Sequence, residues 1–138
     1  MGREQKRDVT MSDEATIHCS LQITKDSLEY RSYPSSFQAD VATAKGPSPG
    51  AFTASYTGTG TQVDFTNLST PALAIVRNLD DTNYVELGVV VSGTFYSLLE
   101  IQAGEFYPYR FGRNMTKTII YIRANTADCD VSVEAFEA

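Results

Sequence analysis

Apolar and polar side chains alternate over short stretches of this chain, which is the spacing expected of β-strands. From Ala15 onward, the alternation places Ile17, Cys19, Leu21 and Ile23 on one face of a predicted half-buried strand. An apolar stripe with the 3.6-residue period of a helix never continues for as many as about ten residues. The pattern therefore predicts a chain built from strands.

Turn signals divide the first third of the chain. Lys25-Asp26-Ser27 predicts a turn, and a strand is predicted over 28–33, ending before Pro34. Residues 35–44 predict a further strand, and the run 45–50, with two prolines and two glycines, predicts a surface loop.

Two hairpins are predicted in the middle of the chain. Gly58-Thr59-Gly60 joins 51–57 to 61–67, and Ser92-Gly93 joins two longer β-rich runs. Those runs are 84–91 and 94–101, and the remaining predicted strands are 72–76, 106–111 (blunted by Pro108), 118–124 and 131–136.

Nine or ten short strands with turns every eight to twelve residues predict an all-β fold, a single antiparallel β-sandwich of jelly-roll or immunoglobulin-like type. The sandwich is predicted to span 15–138. Residues 1–14 show no periodicity and are predicted to be a flexible N-terminal arm. A chain of 138 residues is long enough to bury a core without a disulfide or metal.

Composition and charge exclude several kinds of partner. The formal net charge is −6, from 11 basic and 17 acidic residues, so nucleic acid is not an expected partner. No apolar run approaches the roughly 20 residues of a membrane span, so no membrane partner is expected either.

Catalytic or metal-binding motifs are weak. The single histidine, His18, adjoins Cys19, but neighbouring strand residues point to opposite faces and cannot jointly hold a metal. Cys19 and Cys129 are interpreted as two separate buried thiols, although adjacent terminal strands would allow a bridge. We expect no enzyme activity, no cofactor and no metal, and we interpret Gly58-Thr59-Gly60 as a turn rather than a phosphate loop.

Two acidic features admit a second interpretation. The run Asp80-Asp81-Thr82-Asn83, with Glu86, is expected to be a solvated turn, with a calcium site as the alternative. Glu100 and Glu105 are expected to be solvated charges, with an acid–base pair as the alternative.

The aromatic run 106–111 gives the candidate binding surface. Alternation puts Tyr107, Tyr109 and Phe111 on one face and Phe106, Pro108 and Arg110 on the other, so one row is core. Tyr and Arg are enriched at protein interfaces, and tyrosines can also stack on sugar rings. The protein-interface candidates are Tyr84, Tyr96, Tyr107, Tyr109, Arg110 and Phe111.

The segment running from Asn78-Leu79-Asp80 through Tyr84-Val85-Glu86 to Ala103-Gly104-Glu105 resembles small virion proteins of tailed bacteriophages. That group carries an NLD-x-TN-Y/F-V-E-x-G segment, an aromatic strand and a PGE turn, where this chain has Ala103 for proline. The resemblance covers about 45–111.

The resemblance implies a structural protein of a phage virion. The polar N-terminus does not have the pattern of a secretory signal, so we expect synthesis in the host cytoplasm. We expect a capsid decoration (cement) protein that binds the major capsid protein. The alternatives are a tail, collar or fibre-base component, which would bind tail proteins, and a carbohydrate-binding module for host adsorption. A homo-oligomer, either a trimer or a ring, is expected because closed symmetry limits growth.

Overall fold

The computed structural model describes residues 13–138, which form two compact units, one ending at Ala42 and one spanning Thr43–Ala138. Strands dominate both units, and the one helical segment in the described part of the chain is a 3₁₀ turn over Lys117–Ile119. The strands are β1 Ala15–Ile17, β2 Leu21–Lys25, β3 Leu28–Ser32, β4 Phe37–Ala39, β5 Ser48–Ala54, β6 Thr61–Gln62, β7 Pro71–Asn78, β8 Val85–Val91, β9 Thr94–Ile101, β10 Phe106–Arg110, β11 Ile120–Ala124 and β12 Cys129–Glu137.

The unit spanning Thr43–Ala138 is an antiparallel β-sandwich, as the sequence predicts. One sheet has the strand order β10-β7-β12-β5, and the other has the order β6-β11-β8-β9. Every strand pairing is antiparallel.

The pairing pattern identifies the type of sandwich. The first of the eight strands pairs with the last (β5 with β12), the second with the seventh (β6 with β11), the third with the sixth (β7 with β10), and β8 with β9. A long antiparallel ribbon rolled up in this way is the jelly roll, whereas an immunoglobulin fold keeps its first two strands in one sheet. Here β5 and β6 lie in different sheets, so the sandwich is a jelly roll.

The core lies between the two sheets. Its fully buried side chains include Val76 and Val133 from one sheet and Leu87 and Ile122 from the other. Phe111 adds an aromatic end to the core, its ring packing edge-on to that of Phe65 with centroids 5.5 Å apart. Alternating burial along β11 and β12 follows from the two-residue period of a strand.

The predicted hairpin around Gly58-Thr59-Gly60 is wrong. β5 pairs with β12 and β6 pairs with β11, so this segment crosses from one sheet to the other instead of folding back. Gly60 lies directly against β11, where a Cβ atom would come within 2.4 Å of the Ile122 carbonyl oxygen. The local sequence indicates the turn correctly, but long-range pairing with β11 and β12 selects the partners.

The predicted hairpin around Ser92-Gly93 and the predicted loop at 45–50 differ in outcome. The hairpin around Ser92-Gly93 is confirmed, and both turn residues have the positive φ that such a two-residue turn requires. The run 45–50 is not entirely a loop, because β5 begins at Ser48 and includes Pro49. Like Pro108 in β10, Pro49 is tolerated because its strand lies at the edge of the sheet.

The carboxylate of Glu137 fastens the loop that leads into β7. Glu137 is 6% exposed and accepts hydrogen bonds from the Ser69 backbone N–H and, at 2.9 Å, from the Thr43 hydroxyl. The Ser69 bond, followed by the Thr43 bond, lowers the pKa of Glu137 below its ordinary value of 4.5.

The lowered pKa of Glu137 predicts that its contribution to the free energy of unfolding depends on pH. Because the folded-state pKa of Glu137 is lowered, its contribution is complete above about pH 4.5 and is lost as the pH falls through the folded pKa. Glu137→Gln is therefore expected to lower the melting temperature at about pH 7, with the difference from the wild type narrowing as the pH falls below about 4.5. Thermal unfolding followed by circular dichroism measures both. Glu134→Gln on the same strand is the control, since Glu134 has no hydrogen-bonded side-chain partner in the described part of the chain, and an equal effect there would contradict the assignment.

The unit ending at Ala42 consists of two small strand pairs. β1 pairs with β4, and β2 pairs with β3 in a hairpin that turns at Asp26-Ser27. The predicted turn is confirmed, but the single strand predicted from Ala15 is interrupted at 18–20, and the strand predicted over 35–44 is reduced to β4.

The predicted boundary of the sandwich at residue 15 differs from the observed grouping, in which the sandwich unit begins at Thr43. Residues 1–12 of the predicted arm lie outside the described residues, whereas the Asp13 N–H bonds the Asp40 carboxylate and Glu14 accepts the Val41 N–H.

Candidate protein interface

The aromatic strand β10 separates the predicted interface residues into two rows. Tyr107 lies opposite the buried Val76 on β7, and Tyr109 lies opposite Ala74, so this row faces the core. Tyr109 packs edge-on against Phe111, which is only 4% exposed. Tyr109 and Phe111 therefore face the core, because β7 presents its buried face to their row, and their role at an interface stays a prediction.

Tyr107 lies at the start of the same row and remains 38% exposed. Its hydroxyl donates a 2.9 Å hydrogen bond to the Glu105 carboxylate. That bond raises the pKa of Tyr107 above its ordinary value of 10.0. The ring is thus held by its own turn while part of its surface stays accessible.

The opposite row of β10 is the exposed one. Phe106 is 62% exposed, and Pro108 and Arg110 are exposed as well. On β7, Arg77 lies opposite Phe106, and Ile75, which is 41% exposed, lies opposite Pro108. This outer surface is mixed, with two arginines interleaved among apolar groups, and Arg110 is the one predicted interface residue within it.

Tyr84 and Tyr96 do not join the β10 residues in one patch. Tyr84 is partly buried in the loop before β8, where its carbonyl accepts the Asn125 N–H at 3.2 Å. Tyr96 is 54% exposed on β9, opposite Val89. β9 and β10 belong to different sheets, so the six predicted residues are distributed over separate parts of the sandwich.

The outer face of the second sheet is organised around Gly88. A Cβ atom at Gly88 would lie 2.7 Å from the Phe95 ring, so the ring covers the glycine. The Arg123 guanidinium lies 4.5 Å from the centroid of the Phe95 ring and forms a 3.4 Å ion pair with Glu86. These groups satisfy one another, which is typical of a solvent-facing sheet surface.

Among the described residues, the hairpin formed by β2 and β3 carries a group of uncovered apolar side chains. Cross-strand pairing places Ile23 opposite Tyr30 and Lys25 opposite Leu28, with Leu21 on the same side. We call these four apolar side chains, Leu21, Ile23, Leu28 and Tyr30, the hairpin face. They are 55%, 40%, 55% and 49% exposed, respectively.

The other side of this hairpin is polar. It carries Gln22 opposite Arg31 and Thr24 opposite Glu29. An amphipathic strand pair normally buries its apolar side, and an isolated two-stranded hairpin is marginally stable at best in water. The sequence pattern identified Leu21 and Ile23 as one apolar face but wrongly predicted that it is half-buried, because alternation shows that a face exists and not what covers it.

The acidic loop 80–83 uses its side chains to hold its own backbone. Asp80 accepts the N–H groups of Asn83 and Thr82 at 2.7 and 3.0 Å, and these bonds lower the pKa of its carboxyl group. Asp81 accepts the Thr82 hydroxyl at 2.9 Å. Within residues 13–138, no three His, Cys, Asp or Glu side chains are grouped so that they could hold a metal ion.

The two thiols differ in their surroundings. Cys129 is buried, as predicted, and this burial raises the pKa of its thiol, while Cys19 is exposed, contrary to prediction. Both cysteines are free. Glu100 is exposed and accepts the side-chain amide of Gln102, and Glu105 accepts both the Gln102 N–H and the Tyr107 hydroxyl.

Comparison with known proteins adds no relative. The chain matches no protein-family model, and no curated protein or solved structure is significantly similar to it. Among the described residues, no helix is long and apolar enough to cross a membrane.

Proposed function

We propose that this protein is a structural subunit of a bacteriophage particle that decorates the capsid shell through its hairpin face. The observation that carries the proposal is the exposure of Leu21, Ile23, Leu28 and Tyr30 on one side of an ordered hairpin. Exposed contiguous apolar patches of this kind mark sites where another protein binds.

Burial of the hairpin face against a protein surface would contribute a modest binding free energy. Complete burial of one such side chain contributes about 1.5–3 kcal/mol, so covering four side chains that are about half exposed contributes roughly 3–6 kcal/mol. That is a useful share of a binding free energy. Attachment at many equivalent sites on a capsid would add avidity to a modest contact of this size.

Two further features support a place in a virion. Jelly rolls with two four-stranded sheets are used in viral capsid proteins, although they also occur in lectins and enzymes. The segment from Asn78 to Glu105 resembles small virion proteins of tailed phages, and in the structure it forms the last residue of β7, the acidic loop and the β8–β9 hairpin.

The copy number in purified virions tests the proposal directly. Quantitative mass spectrometry of particles from the phage that encodes this chain is expected to show it at a level comparable with the major capsid protein. A few copies per particle would move the protein to the tail, collar or fibre base. Absence from the particle would overturn the proposal.

A pair of matched variants tests the role of the hairpin face. Ile23→Asp and Thr24→Asp add the same charge at adjacent exposed positions of β2, one on the apolar side and one on the polar side. Ile23→Asp is expected to reduce cosedimentation with undecorated capsids by roughly 10-fold or more, while Thr24→Asp leaves it nearly unchanged. Equal binding by both variants would exclude the hairpin face as the docking surface.

A further inference from the structure

The outer edge of β3 has the features of a self-pairing strand. β3 belongs to a two-stranded sheet in which its pairing partner is β2, so within residues 13–138 its second edge offers unpaired backbone groups. Its sequence is Leu28-Glu29-Tyr30-Arg31-Ser32, without the proline or lysine that commonly protects such an edge. An open edge of this kind can accept a strand from another chain.

The hydrogen-bonding phase of the hairpin determines which groups are free. Lys25 and Leu28 flank the two-residue turn, and in such a turn the flanking pair exchanges both backbone hydrogen bonds. Bonded and non-bonded pairs then alternate, so Leu28, Tyr30 and Ser32 bond to β2. The N–H and C=O groups of Glu29 and Arg31 therefore point away from β2, toward the open edge.

The charges on β3 are symmetric about Tyr30. If two copies of β3 pair antiparallel around a twofold axis at Tyr30, Glu29 of each copy lies opposite Arg31 of the other. Both residues then have free backbone groups facing the same neighbour, which gives four backbone hydrogen bonds and two opposite-charge pairs. Opposite charges directly across an antiparallel pair are stabilising, and like charges there are destabilising.

We propose that the protein forms a twofold homodimer, in place of the trimer or ring expected from the sequence, by antiparallel pairing of β3 with β3 of a second copy, centred on Tyr30. The result is a four-stranded sheet in the order β2-β3-β3-β2, which meets the minimum of three strands for a stable amphipathic sheet. The two hairpin faces become one continuous apolar surface, with the Tyr30 rings adjacent at its centre. The isologous contact closes at two copies and cannot propagate.

Charge reversal and charge exchange test this pairing in the full chain. Analytical ultracentrifugation of the wild type is expected to show a dimer. Arg31→Glu and Glu29→Arg each place two like-charge pairs across the interface and are expected to weaken dimerisation by roughly 10- to 100-fold. The double variant Glu29→Arg/Arg31→Glu restores two opposite-charge pairs and is expected to recover the dimer. Both residues are exposed, so the variants leave the sandwich core intact.

Cross-linking locates the twofold axis. In a Cys19→Ser background, Tyr30→Cys brings two thiols together at a non-hydrogen-bonded antiparallel position, where the Cα separation of about 4.5 Å permits a disulfide. Mild oxidation is expected to give a covalent dimer with Tyr30→Cys and not with Thr24→Cys on β2.

A monomeric wild type, a dimer insensitive to charge reversal, or failure of the exchange variant to recover the dimer would overturn the proposal. None of these measurements depends on capsid binding, so the proposed function stands or falls separately.

Discussion

Replacing Asn78 with leucine is expected to destabilise the sandwich by about 3–5 kcal/mol, because three backbone groups would lose their partners. Asn78 is 2% exposed at the end of β7. Its side-chain amide donates to the carbonyls of Asn83 and Ile101 at 2.8 and 3.1 Å, and its oxygen accepts the Asp80 N–H at 2.9 Å. One side chain thus joins β7, the acidic loop and the end of β9.

Urea denaturation of the variant measures this loss, and two substitutions serve as controls. Asn125→Leu changes an exposed asparagine and is expected to alter the free energy of unfolding by less than about 0.5 kcal/mol. Asn78→Asp keeps the shape and the acceptor but turns a donor toward two carbonyl oxygens into another oxygen. A stable Asn78→Asp protein would show that the donated bonds do not matter.

Gly60→Ala is expected to destabilise the protein by more than about 3 kcal/mol, enough to leave little folded material. Gly60 has a φ of +87°, and a Cβ atom would lie 2.4 Å from the Ile122 carbonyl oxygen and 2.7 Å from the Arg123 Cα atom. Both are backbone atoms of β11 and cannot move aside independently. The change therefore forces the crossing segment between the sheets away from β11.

Gly50 provides a matched control, since its φ is +86° and its added Cβ atom would meet nothing within 4 Å. Gly50→Ala is expected to show only the strain of the left-handed backbone, about 1–2 kcal/mol. The difference between the two variants in urea denaturation isolates the steric contribution at β11. Equal destabilisation would mean that backbone conformation alone accounts for the effect at Gly60.

Local sequence predicts those elements whose partners are close along the chain. The β8–β9 hairpin was predicted because Ser92-Gly93 specifies the turn between two alternating runs. The segment around Gly60 was mispredicted because β6 pairs with β11, about 60 residues later, and no local signal encodes that choice. The all-β sandwich and its local hairpin could thus be predicted, but its long-range strand partners could not.

Prediction of the candidate surfaces from the sequence was limited in the same way, because long-range packing determines which strand face is exposed. Alternation in 106–111 correctly separated two rows, but the buried side of β7 decides that Tyr109 and Phe111 face the core. At the hairpin, alternation identified Leu21 and Ile23 as one apolar row, and only the structure shows that the row is exposed. A periodic pattern specifies faces, and tertiary packing determines which of them is covered.

The pairing of the first sandwich strand with the last has a consequence for how the chain folds. β12 lies between β5 and β7 in its sheet, with Ser48 opposite Ala135, so this sheet cannot be completed until β12 is available. Most strand pairings join residues that are far apart in the sequence. Proteins with such a topology fold slowly, with folding times of about milliseconds to seconds. During synthesis, the apolar sides of β5 and β7 therefore stay uncovered until β12 has left the ribosome, and only then can the core close.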